Sequence, residues 1–214
     1  MTDSSRSSTR TLPSKSLLFG LATLAALAGL AVYHWLNPTV SVARYSPQTA
    51  TVLPVPQALT EFHLRTAQAE LNLAALTGHA SLVYFGYTHC PDVCPATLAE
   101  LASMYQKLTN PPTLYFVSVD PERDTPSNVD QYAQHFNPHF HGATGPDDQL
   151  MRLTHRLGAL YSRDTDKQGR VTVDHSGALY LINAQGEFLA VFTPPFRLDL
   201  MATDLNHLLA DIKP

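Results

Sequence analysis

The sequence predicts an α/β sandwich in which parallel strands are covered by helices on both faces. The order of elements is strand, helix, strand, helix, then a hairpin and a last helix, and the early strands are continuous apolar runs, as in sheets buried on both sides. A pair of cysteines, Cys90 and Cys94, stands where a strand ends and a helix begins. That position favours a thioredoxin-like sandwich, and a generic doubly wound fold stays the alternative.

The expected elements follow one another along residues 58–214, the predicted domain. An apolar strand over Ser81–Phe85 leads into the cysteines, and a helix follows Pro95 because apolar residues recur there at helical spacing. Thr125-Pro126 is typical of a helix start, for a helix that runs to about Phe136. The other expected elements are short strands near Glu61–Arg65 and Glu70–Leu73, a strand over Thr113–Val119, a helix over Asp147–Leu157, a strand over Val171–Val173, a hairpin of Ala178–Ile182 and Glu187–Phe192, and a helix from about Leu198 to Ala210.

The N-terminal part of the chain predicts a membrane anchor. Residues 17–36 form an apolar run without a charged side chain, long enough as a helix to cross a bilayer. Residues 1–16 carry a net positive charge, so we expect them in the cytoplasm and the domain across the membrane. A cleaved signal peptide, processed near Ala26-Leu27-Ala28, is the alternative. Residues 37–57 contain four prolines and are expected to form an extended linker.

Composition and charge narrow the classes of function. The chain has a formal charge of −4, and residues 1–36 hold three basic side chains and one acidic, which leaves 11 basic and 17 acidic residues, a net −6. A domain this acidic lacks the electrostatic footprint of a nucleic-acid-binding protein. Two cysteines are too few for a disulfide-stapled scaffold, and a close pair is more often a redox or metal site.

The chemistry of the cysteine pair follows from its position. Backbone N–H groups and the helix dipole at a strand-to-helix junction favour thiolate over thiol. Three residues separate Cys90 from Cys94, so one helical turn brings both sulfurs to one side. The pair can close a disulfide or bind a soft metal ion, and two thiolates with an imidazole suit Cu(I) or Cu(II). A structural disulfide or two inert buried thiols is the plain alternative.

Three further residues are candidates for the same site. His175, which precedes the strand at Ala178, is either a metal ligand or a surface histidine bonded to Asp174. Asp120 ends a strand and is either close to the metal site or a turn residue before a proline. His89 adjoins Cys90, but adjacent side chains rarely converge on one ion, which favours a structural role for it.

Three motifs together give a specific resemblance. GYTHCPDVCPATLAEL at residues 86–101 looks like the signature of the Sco/SenC family, copper proteins that help assemble cytochrome c oxidase. VSVDPERDTP at residues 117–126 is similar to the family's second motif, and VDHSGALYLIN at residues 173–183 resembles the third. The resemblance extends from about residue 58 to the C-terminus, and the predicted anchor fits the family's architecture.

The resemblance implies a fold, a cofactor and a task. The fold is a thioredoxin-like sandwich with an added β-hairpin, preceded by one N-terminal transmembrane helix. One copper ion, Cu(I) or Cu(II), is bound by Cys90, Cys94 and His175, with Asp120 close to the copper site. The task is that of a metallochaperone, which assembles the CuA site of cytochrome c oxidase subunit II by delivering copper or reducing the target cysteines.

Alternatives in other classes stay open. A membrane-anchored thiol–disulfide oxidoreductase would use Cys90 and Cys94 as a redox-active pair, and a copper-dependent redox sensor would use the same site for signalling. His175 discriminates best, because a dithiol reductase needs no imidazole beside its sulfurs. The partner is expected to be cytochrome c oxidase subunit II or another copper protein. The expected location is the bacterial inner membrane, with a single pass and the domain facing the periplasm; the alternative is the mitochondrial inner membrane, facing the intermembrane space.

Overall fold

The computed structural model describes residues 24, 26–29, 32, 45–165, 167 and 171–211. The chain divides into two compact units, Met1–Arg44 and Tyr45–Pro214. In the first unit the few described residues are helical, and most of the predicted anchor at residues 17–36 lies outside them. Among the described residues, no helix combines the length and the apolar character needed to cross a membrane.

The second unit is built around a mixed β-sheet. Its strands and helices, in chain order, are β1 (Ala50–Ala58), β2 (Leu64–Arg65), β3 (Glu70–Leu71), β4 (Ser81–Gly86), α1 (Val93–Tyr105), β5 (Thr113–Ser118), α2 (Pro126–Phe136), β6 (Phe140–Ala143), α3 (Asp147–Leu157), β7 (Tyr161–Thr165), β8 (Val171–His175), β9 (Leu179–Ile182), β10 (Glu187–Phe192) and α4 (Leu198–Asp211).

The sheet places the cysteine pair at the end of a buried parallel strand. In the described part of the chain the strand order is β1-β10-β9-β4-β5-β6, and β4, β5 and β6 run parallel. Every residue of β4 and β9 is buried, because helices and loops cover the sheet on both faces. Helix α2 packs on β5 and β6, and α1 contacts α4. The predicted α/β sandwich with parallel strands at its centre is confirmed.

Local sequence accounts for several boundaries. Helix α2 begins with a capping box, since the amide of Asn128 donates to Thr125 Oγ1 and the amide of Thr125 donates to Asn128 Oδ1, with Pro126 next in the chain. The β9–β10 turn is held by Asn183, whose Oδ1 accepts the amides of Gln185 and Glu187. The helix start at Thr125-Pro126 and the hairpin are therefore confirmed.

Three strands were not predicted. Strand β1 lies within the stretch expected to be linker, residues 37–57, so the ordered domain begins before residue 58. An edge strand tolerates Pro54 and Pro56, and the pairing of β1 with β10 is irregular between Val52 and Gln57, where these prolines stand. Strand β6 is short, and β7 is too polar to be predicted from apolar alternation; it pairs with β8 in a separate two-stranded ribbon.

Asp204 on α4 fixes the beginning of the second unit. The carboxylate is fully buried and accepts hydrogen bonds from the hydroxyl of Tyr45 and from the amides of Gln48 and Thr49. Burial opposes ionisation, but the hydrogen bonds from Thr49, Tyr45 and Gln48 outweigh it and lower the pKa of Asp204. The first residues of the second unit are therefore held against α4 at Asp204.

Candidate metal centre

The cysteine loop begins at Gly86, the last residue of β4, and turns into α1 at Val93. Gly86 has no room for a side chain, because an added Cβ would lie 2.4 Å from Phe116 Cε2 and 3.1 Å from the sulfur of Cys94. A close approach of this kind is a common reason for glycine in a strand. The tight junction seats Cys94 in the first turn of α1, against the core.

The two cysteines differ in burial. Both are free thiols; Cys90 is partly exposed, whereas Cys94 is fully buried. The backbone N–H of Cys94 donates to the sulfur of Cys90 at 3.3 Å, so the first turn of the helix holds that sulfur. Burial is the main cause that raises the pKa of Cys94 to about 12. Cys94 is therefore protonated at neutral pH, whereas its position at the start of a helix predicted a thiolate, because burial outweighs the helix dipole. Cys90 is the thiol that solvent or another molecule reaches.

His175 is the last residue of β8, and its ring meets the buried cysteine. The distance from His175 Nε2 to Cys94 Sγ is 3.4 Å, and Nδ1 lies 3.2 Å from the carbonyl oxygen of Ser176. A carbonyl only accepts, so Nδ1 carries the proton and Nε2 presents its lone pair to Cys94. Burial lowers the pKa of His175, which keeps the imidazole neutral at neutral pH.

A shallow cleft of about 290 Å³ opens onto the site between the cysteine loop and β8. Cys90 and His175 line it together with Tyr87. The rings of Tyr84 and Tyr87 stand edge-on to the imidazole, with centroid distances of 6.1 and 6.3 Å. The aromatic rings restrict the orientation of His175, while the cleft leaves Cys90 and the imidazole accessible.

The donors are of the right kind for a soft metal ion, although they are not yet gathered around one point. Among the described residues, no three His, Cys, Asp or Glu side chains stand in a preformed metal-holding group. Cys94 and His175 are in contact, and Cys90, four residues before Cys94 in the loop, accepts the Cys94 amide at its sulfur. Two sulfurs and a neutral imidazole are the donors that copper prefers. Binding of one ion by all three donors would therefore require a local rearrangement of these side chains.

A comparison with protein families decides where this arrangement belongs. The SCO1/SenC family model matches residues 54–210. This chain belongs to the SCO1/SenC family. Among its relatives, an SCO2-like protein of Rickettsia conorii is 36% identical over 138 residues, which cover 62% of this chain and 67% of that protein. The predicted family is confirmed.

Solved structures of the SCO1/SenC family share the fold. The apo Sco1 protein of Thermus thermophilus is 32% identical, with a TM-score of 0.69, and the match covers 78% of this chain and 99% of that one. ScoI of Bradyrhizobium japonicum, solved with copper bound, is 31% identical, with a TM-score of 0.62, and covers 69% of this chain and 97% of its own. The thioredoxin-like architecture of this family member is confirmed.

Asp120 reaches the site through an intermediate residue. Its carboxylate is buried and accepts a hydrogen bond from Arg123 Nε. The guanidinium of Arg123 lies over the ring of Tyr87, 5.7 Å from its centroid. The carboxylate of Asp120 is therefore engaged by Arg123, and the path to His175 runs through Arg123 and Tyr87.

The ring of His89 contacts Thr88 and Asp124. Its Nδ1 lies 3.1 Å from Thr88 Oγ1 and 3.6 Å from Asp124 Oδ1. The ring is half exposed, whereas the Asp124 side chain is fully buried. The structural role preferred for His89 from the sequence agrees with these contacts.

Asp124 supports the cysteine loop, and sequence reasoning did not single it out. Its carboxylate accepts the amide of Thr88 at 2.9 Å, and also the hydroxyls of Thr88 and Ser118. These bonds tie the cysteine loop to the end of β5. The one signal in the sequence was a second aspartate four residues after Asp120 in the same motif, but its partner Thr88 lies 36 residues earlier.

Proposed function

We propose that this protein is a copper metallochaperone that binds one copper ion, as Cu(I) or Cu(II), through Cys90, Cys94 and His175. The observation that carries the proposal is the 3.4 Å contact between the sulfur of Cys94 and the lone-pair nitrogen of His175, with a second thiol four residues earlier in the chain. Disulfide exchange needs only the sulfurs, so an imidazole held against them favours metal binding. The copper-bound structure of the related ScoI supports the same reading.

The geometry suits an ion that is bound and then handed on. Cys90 is partly exposed, and it lines the open cleft with His175, so donors of a second protein can approach from one side. Cys94 is fully buried, so it can stay bound to the ion while the donors of a second protein approach from the open cleft. The thiol protons must leave when copper binds, which makes capture dependent on pH.

The receiving protein is proposed to be cytochrome c oxidase subunit II, at its CuA site, or another copper protein. The same site could assist assembly of the CuA site in two ways, by delivering copper or by reducing the target cysteines. Membership of the SCO1/SenC family supports this target. We propose that residues 17–36 anchor the chain in a bacterial inner membrane and that the domain faces the periplasm, on the strength of the apolar run and its basic flank.

Thiol–disulfide exchange is the second candidate, favoured by the four-residue separation of two free cysteines. In that reaction the thiolate of Cys90 attacks a disulfide of the partner and forms a mixed disulfide, and one partner thiolate leaves. Cys94 then loses its proton and attacks the Cys90 sulfur, which releases the second partner thiolate. Two electrons pass to the partner, and Cys90–Cys94 becomes a disulfide. A copper-dependent redox sensor would use the same pair.

Copper stoichiometry of the full-length protein tests the proposal. The parent and a matched control, His139→Ala at an exposed histidine, should each bind one copper ion per chain. Cys90→Ser and Cys94→Ser should lose tight binding, because each removes one of the two thiolates. Tight binding of one ion by either serine variant, or none by the parent, would contradict the metallochaperone; disulfide exchange without copper binding would favour the oxidoreductase.

A further inference from the structure

We infer that Arg123 is a positioning residue that holds His175 against the cysteine loop, and that Asp120 acts on the site through Arg123. The inference rests on the proposed copper site, which it deepens by naming what keeps the third donor in place. Neither residue touches the sulfurs or the imidazole in the contacts described above.

The side chain of Arg123 joins three segments of the chain. Its Nε donates to the carboxylate of Asp120, within its own loop, and its Nη1 donates to the carbonyl oxygen of Val171 at 3.3 Å. Its guanidinium also covers the ring of Tyr87 in the cysteine loop. One planar group therefore connects the loop after β5, the first residue of β8 and the segment that carries Cys90.

This connection matters because His175 ends a strand that lies outside the main sheet and has only Val173 buried in the core. Strand β8 pairs only with β7 among the described residues, in a two-stranded ribbon outside the main sheet. An isolated two-stranded ribbon is at best marginally stable, so its placement depends on side-chain contacts. Arg123 supplies such a contact at Val171, the other end of the strand from His175.

A second arginine holds the partner strand. Arg163 on β7 donates from Nε to the carbonyl oxygen of Val119 at 2.8 Å, and its guanidinium pairs with Asp147 on α3. This contact fixes β7 to the end of β5 and to a helix. Arg123 is the only one of the two that also contacts the cysteine loop, through Tyr87, whose ring stands beside His175. Arg123 therefore connects the strand that ends in His175 with the loop that carries Cys90.

Asp120 orients this arginine. The side chain of Asp120 is 1% exposed, and an unpaired carboxylate at that depth would be strongly unfavourable. The Asp120 carboxylate accepts a hydrogen bond from Nε of Arg123. This bond orients the planar guanidinium so that its Nη1 faces the carbonyl oxygen of Val171. A lysine could not serve both acceptors with this geometry, because its donors sit on a single nitrogen.

The first test uses the metal-free, full-length protein. Arg123→Gln should speed hydrogen exchange of the β8 amides by at least about tenfold, while the amides of β4 keep their protection. Arg123→Lys should behave like Arg123→Gln, because a positive charge alone does not replace the two hydrogen bonds that the guanidinium donates. Arg152→Gln removes the same charge from an exposed position on α3 and should match the parent. Because Arg123→Gln leaves Asp120 unpaired, the double variant with Asp120→Asn is measured beside it.

The second test reads the metal site. Arg123→Gln should lower Cu(II) affinity at least about tenfold and shift the Cu(II) absorption spectrum, while the midpoint potential of the Cys90–Cys94 disulfide stays at the parental value. A general loss of structure would change both the Cu(II) affinity and the midpoint potential of the disulfide. Asp120→Asn should weaken copper binding in the parent and have no further effect in the Arg123→Gln background, as a double-mutant cycle shows for coupled residues.

The outcomes separate this inference from the proposed function. Parental β8 exchange and parental copper binding in Arg123→Gln would overturn the positioning role, while the copper site itself would stand if Cys90→Ser still lost the metal. An equal effect of Asp120→Asn in both backgrounds would overturn the claim that Asp120 acts through Arg123. If the parent binds no copper, the proposed function fails, and the exchange measurement still decides whether Arg123 holds the ribbon.

Discussion

His175 Nε2 lies 3.4 Å from the sulfur of Cys94, and the proton of that contact belongs to the sulfur, because Nδ1 already donates to the carbonyl oxygen of Ser176. The pair is thus a neutral thiol that donates to a neutral imidazole. Both atoms are potential copper donors, and the shared proton must leave before both can bind one ion. This relationship makes the chemistry of the two cysteines unequal and sensitive to pH.

The first prediction concerns thiol reactivity. In the metal-free, reduced protein at pH 8, iodoacetamide should modify Cys90 at least about a hundredfold faster than Cys94, because Cys94 is fully buried and its pKa is raised to about 12. Peptide mass spectrometry over a time course measures the two rates. The denatured protein is the control, in which the thiols should react alike. Similar rates in the folded protein would contradict the described burial of Cys94.

The second prediction is that copper affinity rises with pH. The pKa of Cys94 is raised to about 12, so its proton competes with copper at every pH below that value, and this thiol alone should make affinity increase up to about tenfold per pH unit. The pKa of His175 is lowered from 6.5, so its proton adds to the competition only in more acidic solution. Chelator competition between pH 6 and 8.5 measures the slope, and calorimetry in two buffers counts the protons released. A flat profile would exclude Cys94 as a ligand.

The sequence predicted the buried framework better than the edges. Continuous apolar runs specify β4, β5 and β9, and a capping signal specifies α2, because in each case the decisive interactions are local or depend on burial alone. Strand β1 contains prolines and is paired irregularly with β10, whose residues lie 129 or more positions later in the chain (Ala58 pairs with Glu187), so its pattern resembled a linker. Strand β6 is short and strand β7 is polar, so their own sequences give little sign of a strand. Both form because of the strands with which they pair.

The site shows the same division. Cys90, Cys94 and His175 were singled out from motif and chemistry, and the structure brings Cys94 and His175 into contact. The contacts that support these residues could not be predicted from the sequence, because they join segments that are far apart in the chain. Asp124 accepts from Thr88, 36 residues earlier, and Arg123 donates to Val171, 48 residues later. Residue types at known spacing predict donors, whereas the groups that orient the donors depend on tertiary packing.

The third prediction concerns Asp124. Replacing it with Asn removes the charge that accepts three hydrogen bonds from Thr88 and Ser118, and hydrogen bonds to a neutral amide are weaker than those to a carboxylate. We expect the free energy of unfolding to fall by about 1–3 kcal/mol. We also expect faster alkylation of Cys94, because the cysteine loop loses its tie to β5. Denaturant unfolding and the alkylation assay measure the two effects.

The control for this variant is Asp148→Asn, at an exposed carboxylate on α3. That change should leave both stability and alkylation within error of the parent. If Asp124→Asn lowers stability but leaves the reactivity of Cys94 unchanged, the carboxylate supports the fold without organising the cysteine loop.

The last prediction is that His175 separates metal binding from thiol chemistry. His175→Ala removes the nitrogen donor 3.4 Å from Cys94 and leaves both sulfurs in place. Two-coordinate Cu(I) would be exposed to exchange and Cu(II) would lack a ligand, so we expect copper affinity to fall by at least about a hundredfold, most of all for Cu(II). Formation of the Cys90–Cys94 disulfide should persist, because it needs only the two sulfurs and their setting.

Chelator competition for each copper state and a thiol redox titration, run on the same variants, measure the separation. Cys94→Ser should abolish both properties, and His139→Ala, at an exposed histidine, should change neither. A His175→Ala protein that binds both copper states as tightly as the parent would show that the three-ligand site is wrong. Since Asp120 is engaged by Arg123 and His89 faces Asp124, no other described side chain stands ready as the third donor. The dithiol pair would then be the whole site, and thiol–disulfide exchange would become the leading function.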